Sequence, residues 1–94
     1  MSRHAKMLST VLSGASDQTV RFDDLCALLA RLGFAERRSS GSHRIFFHRA
    51  TPEILNLQPR SDGTAKPYQV RQVRGLILRY HLALAPTPEA SDER

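Results

Sequence analysis

Phe22, Leu25, Leu28, Leu29 and Leu32 fall at i, i+3, i+6, i+7 and i+10, and Gly33 follows at once. That spacing gathers five large apolar side chains on one face, so the segment 23–32 is predicted to be a helix with one buried side. Asp23 and Asp24 occupy its first turn, where the helix dipole favours negative charge. Gly33 fits a left-handed stop. A helix with one apolar face needs a layer to cover that face, and the remainder of the chain has to provide it.

Three extended segments follow, at 34–38, 42–49 and 53–58, separated by Ser39-Ser40-Gly41 and by Ala50-Thr51-Pro52. Turns this tight predict an antiparallel meander. Pro67 then stands where a first helical residue would, and Val70, Val73, Ile77 and Tyr80 repeat at helical spacing beyond it. Gly75 weakens that helix by about 1 kcal/mol relative to alanine and is expected to permit close packing on the sheet. The predicted class is α+β: α-β-β-β-α, a three-stranded antiparallel sheet with both helices on one face. Residues 1–18 mix Ser, Ala and Gly with scattered apolar positions and are expected to be a flexible or partly helical extension. Residues 19–82 form the domain, and 83–94, with two prolines and three acids, an acidic disordered tail.

One cysteine, Cys26, excludes an internal disulfide and favours a reducing, cytoplasmic compartment. No apolar run reaches the roughly 18 residues that span a bilayer, and the N-terminus lacks the pattern of a signal peptide. The net charge is +5. Between Leu25 and Leu82 ten Lys and Arg face only Glu36, Glu53 and Asp62, and nine of the ten are arginine, whose planar fork matches phosphate. A basic body with acidic margins points to a polyanionic partner such as RNA, or to a solvated basic surface.

Gly41-Ser42-His43-Arg44-Ile45-Phe46 places a histidine just after a glycine turn, at the mouth of the second strand. An imidazole titrates near neutrality. RNA carries its own nucleophile, the ribose 2′-OH, so one general base worth about 10²–10⁴-fold could start cleavage without metal or cofactor. His43 is the candidate base. Arg38, Arg44 and Lys66 are candidates to stabilise the phosphorane charge, and Arg71 and Arg74 add to an RNA-binding surface. Alternation puts His43, Ile45 and Phe47 on one face and Arg44, Phe46 and His48 on the other, without saying which is covered. We expect Phe46 inside and His43 outside. A lone histidine is more often structural than catalytic, and Cys26 reads as a buried small hydrophobe. No metal-ligand spacing, Ser–His–Asp order, phosphate loop or dinucleotide fingerprint is present.

The Gly41-Ser42-His43 motif resembles that of HicA toxins. So does its setting: a helix ending in Leu32-Gly33-Phe34, a third strand Leu55-Asn56-Leu57-Gln58-Pro59, and a closing Lys66-Pro67-Tyr68-Gln69-Val70-Arg71-Gln72-Val73-Arg74. The resemblance spans about 20–82. It implies a double-stranded-RNA-binding-domain-like fold and a metal-independent mRNA endonuclease with His43 catalytic, Gly41 allowing the turn and Ser42 leading into the strand. It also implies a HicB-type antitoxin covering the active site, with DNA reached only through that antitoxin, no membrane and no cofactor. Small members of the family often have a histidine near the end of the third strand, where this chain has Gln58. Two other functions fit the same residues: a noncatalytic RNA-binding module, or a small domain whose basic face meets an acidic protein.

Overall fold

The computed structural model describes residues 3–38, 41 and 43–84, Arg38 by its backbone alone. The elements are α1 (Arg3–Ser13), α2 (Phe22–Arg31), β1 (Ala35–Arg38), β2 (Arg44–Phe47), β3 (Leu55–Leu57) and α3 (Pro67–Tyr80). The α+β class and the helix–three strands–helix order are as expected, with α1 set in front. Residues 85–94, most of the expected acidic tail, lie outside the described residues.

Each element carries its own local cause. The leucine stripe of α2 is buried along its whole length. Its end is a Schellman stop, in which the Gly33 N–H donates to Ala30 O and the Phe34 N–H to Leu29 O, with Gly33 at φ +100°. Pro67 opens α3 after Lys66 at the N-cap position. His81 closes it in the left-handed region at φ 53°, and Leu82 N–H donates back to Ile77 O.

β2 is the central strand and pairs antiparallel with both neighbours. Phe46 lies opposite Glu36 and Leu55, Ile45 opposite Arg37 and Asn56. With a side-chain period of two, this register sorts the sheet into two faces. Phe46, Leu55 and Leu57 are sealed in the core with the leucines of α2 and with Val70, Val73 and Ile77 of α3. Burial of each such side chain stabilises the fold by about 1.5–3 kcal/mol. The opposite face, carrying Arg37, Phe47 and Asn56, is exposed.

The stretch expected to be an extension contributes to the core. α1 packs on α2 and α3, its Val11 is fully buried, and Met7 and Leu8 pack against the same cluster. Arg74 of α3 fastens it, donating from Nη1 to Val11 O and Asp17 Oδ1, both at 3.0 Å, and from Nη2 to Asp17 Oδ2 at 3.1 Å. Hydrogen bonding to Asp17 raises the Arg74 pKa above its usual value.

Gly75 departs from expectation. It is exposed, and a Cβ there would meet nothing within 4 Å, so no close packing depends on it. Gly33 is the opposite case, since a Cβ would come within 2.9 Å of His48 Nε2 at a positive φ. Gly75→Ala is therefore expected to stabilise the protein by about 1 kcal/mol. Gly33→Ala is expected to cost about 1–3 kcal/mol. Thermal unfolding followed by circular dichroism should move in opposite directions for the two, by at least about 4 °C each.

Candidate active site

Gly41, at φ +71°, supplies the left-handed step in the β1–β2 turn that a residue with a Cβ rarely adopts. Ser42 lies outside the described residues. His43 comes next, immediately before β2. Because Phe46 is buried, alternation sends His43 to the uncovered face with Ile45 and Phe47. His43 is half-buried there, and its Nδ1 stands 3.1 Å from Oδ1 of Asn56, which is exposed at the centre of β3. A carboxamide oxygen only accepts, so Nδ1 holds the proton and Nε2 of the neutral ring holds the lone pair.

His48, at the far end of β2, is the structural counterpart. Its Nδ1 accepts the Ala50 N–H at 2.9 Å, so Nε2 carries the hydrogen and donates to Leu32 O at 3.0 Å. The ring also meets Phe34 edge-on, with centroids 4.9 Å apart. It ties the end of α2 to the sheet. The two histidines flanking one strand thus hold opposite tautomers on opposite faces.

The candidate cations divide. Arg44 turns to the covered side, where Nε and Nη2 form a two-point pair with Glu36, the latter at 2.7 Å, and the guanidinium lies over the Phe46 and Phe22 rings. The hydrogen bond to Glu36 is the main cause that raises the Arg44 pKa. Arg74 is committed to Asp17 and α1. Arg38 is paired in register with Arg44. Lys66 is half-buried at the N-cap position of α3, and Arg71 is exposed one turn on.

This end of α3 meets the His43 end of the sheet. Gln69 Oε1 accepts the Gln58 N–H at 3.5 Å, and Pro59 bridges Ala65, the residue before Lys66. Two residues join the site that the sequence does not mark. Asn56 gives no signal beyond being a polar residue in an apolar strand. Arg37 resembles any exposed strand charge, yet it shares the face of His43 and lies over Phe47.

Burial pushes the Cys26 thiol up to about 11, with Arg44 opposing, so it is an inert core group. A cleft of about 350 Å³ between α1 and α2 is lined by Arg3, His4, Lys6 and Asp24 among others, and His43 has no part in it. Among the described residues no three His, Cys, Asp or Glu gather as a ligand set, and no helix is long and apolar enough to cross a membrane.

Among the described residues, the fold and site define a small basic α+β domain with one histidine on the uncovered sheet face, its Nδ1 3.1 Å from Asn56 Oδ1. The family model for the HicA toxin of bacterial toxin–antitoxin systems matches residues 22–79, from the first residue of α2 to the last turn of α3. The chain belongs to this family, and is a toxin whose counterpart is an antitoxin. Comparisons with curated proteins and with solved structures gave no match.

The tautomer assignment is directly measurable. Long-range ¹H–¹⁵N correlation spectra above the titration range should show His43 protonated at Nδ1 and His48 at Nε2. Asn56→Ala should return His43 toward the Nε2–H form usual for free imidazole while leaving His48 unchanged. An unaltered His43 spectrum would remove Asn56 from its role.

Proposed function

We propose that this toxin is a metal-independent endoribonuclease that cleaves mRNA in the cytoplasm, with His43 as general base. The observation that carries the reading is the bond from His43 Nδ1 to Asn56 on the uncovered face, which leaves Nε2 as the proton acceptor. Nε2 takes the proton of a ribose 2′-OH, and the 2′-oxygen forms a bond to the adjacent phosphorus. The bond from phosphorus to the 5′-oxygen breaks, and that oxygen takes a proton from solvent. The products are a 2′,3′-cyclic phosphate and a 5′-hydroxyl end. DNA, which lacks the 2′-OH, is not a substrate.

Negative charge on the pentacoordinate phosphorus needs donors nearby. Lys66, at the N-cap position of α3, belongs to the His43 end of the sheet, and Arg71 extends the cationic surface along α3. Arg44 and Arg74 act on RNA only through the fold, since Glu36 and Asp17 occupy their guanidinium groups. Gly41 allows the turn before His43. A HicB-type antitoxin would silence the enzyme by lying over His43, its carboxylates opposed to these cations.

Purified protein incubated with RNA in EDTA should yield fragments ending in 2′,3′-cyclic phosphate. His43→Ala should lower the rate by about 10²–10⁴-fold with unchanged circular dichroism. Substitution of the scissile ribose by deoxyribose should block cutting at that position. Cleavage at the wild-type rate by a folded His43→Ala protein would end the assignment.

A further inference from the structure

The uncovered sheet face carries more than His43. Phe47 is 39% exposed and lies on the His43 side because its neighbour Phe46 is buried, and Ile54, just before β3, is 60% exposed. The Arg37 guanidinium stands over the Phe47 ring, 5.7 Å from its centroid. Among the described strand residues no carboxylate shares this face. Glu36 is opposite Phe46 and pairs with Arg44 on the covered side. Glu53, which precedes β3, accepts from Arg79 and from the Tyr80 hydroxyl.

An exposed aromatic ring under a guanidinium, on a strip without carboxylates, is suited to nucleic acid whose bases are free to stack. Unpaired bases present π-faces to aromatic rings and to arginine planes, whereas a duplex keeps its bases stacked inside and offers sugar and phosphate. From this we infer that the face is a platform for single-stranded RNA, on which one base stacks against the Phe47–Arg37 pair while the strand runs past His43. Four residue steps along β2 separate Phe47 from His43, a distance of about 13 Å. That corresponds to about four nucleotides of stacked strand at about 3.4 Å each. The base held on Phe47 therefore lies close enough to the cut to influence where cutting occurs.

The inference deepens the ribonuclease reading by naming its substrate as unpaired RNA, and binding separates the two. The His43→Ala protein is titrated by fluorescence anisotropy with a labelled, unstructured RNA oligonucleotide and with the same strand in a duplex; wild-type cleavage is measured separately. Single strand should bind more tightly than duplex. Adding Phe47→Ala should weaken single-strand binding about ten-fold or more, the loss of one stacked base, while adding Phe47→Trp should retain it. Arg37→Ala, which leaves the ring in place, should also weaken binding and lower the salt slope by about 0.7. Equal single-strand affinity with and without Phe47 and Arg37 would overturn the platform even if wild type cuts RNA. So would a preference for duplex. Loss of antitoxin affinity with RNA affinity intact would assign the face to protein instead. If the wild type cuts nothing yet Phe47→Ala still weakens binding, the platform stands and the nuclease reading falls.

Discussion

Burial of Phe46 is the constraint from which the site follows. Among the described residues the sheet has three strands and a single covered face, so the one phenylalanine of β2 that enters the core decides where every other residue of that strand points. His43, three positions earlier, must face out, and His48, two positions later, must face in. Arg44 must also face in, where an unpaired guanidinium at the edge of an apolar layer would be costly. Glu36, on the neighbouring strand, answers it with a two-point pair, and the faces of Phe22 and Phe46 add to its surroundings. An arginine beside the candidate catalytic histidine in sequence is thereby kept out of the chemistry by strand geometry.

Most of the architecture is legible in the sequence because its signals are local. The stripe of α2, the glycine stop at Gly33 and the proline at the start of α3 act within a few residues of themselves, and each is found where the spacing puts it. α1 is harder to read, since Met7, Leu8 and Val11 are interrupted by serine and threonine and make only a short stripe. What docks it is nonlocal: Arg74, which the periodicity of α3 assigns to a polar side, reaches Asp17 and the Val11 carbonyl. Gly75 misleads for the complementary reason. A glycine in a helix marks either close approach or mere tolerance, and only the neighbouring elements distinguish them.

The candidate histidine is named by the sequence, while the contacts around it are not. A glycine turn, a strand and a histidine between them are enough to select His43, but alternation has two solutions, and only the buried partners of Phe46 choose one. Asn56 is invisible in sequence because its role comes from register: it lies opposite Ile45, diagonal to His43, which places its carboxamide beside the ring. The cations fail to sort for the same reason. Sequence proximity places Arg44 in the site, while cross-strand pairing removes it.

The uncovered face also bears on inhibition. His43, Ile45 and Phe47 occupy consecutive outward positions, and Asn56 flanks them on the next strand. A protein that seals His43 from solvent has to lie across the same strip, because Ile45 is the one outward position between His43 and Phe47. Phe47 would then give such a partner apolar area to bury, and Arg37 a charge to oppose. If the face binds RNA as proposed, RNA and antitoxin compete for one surface, and inhibition needs no conformational change in the toxin.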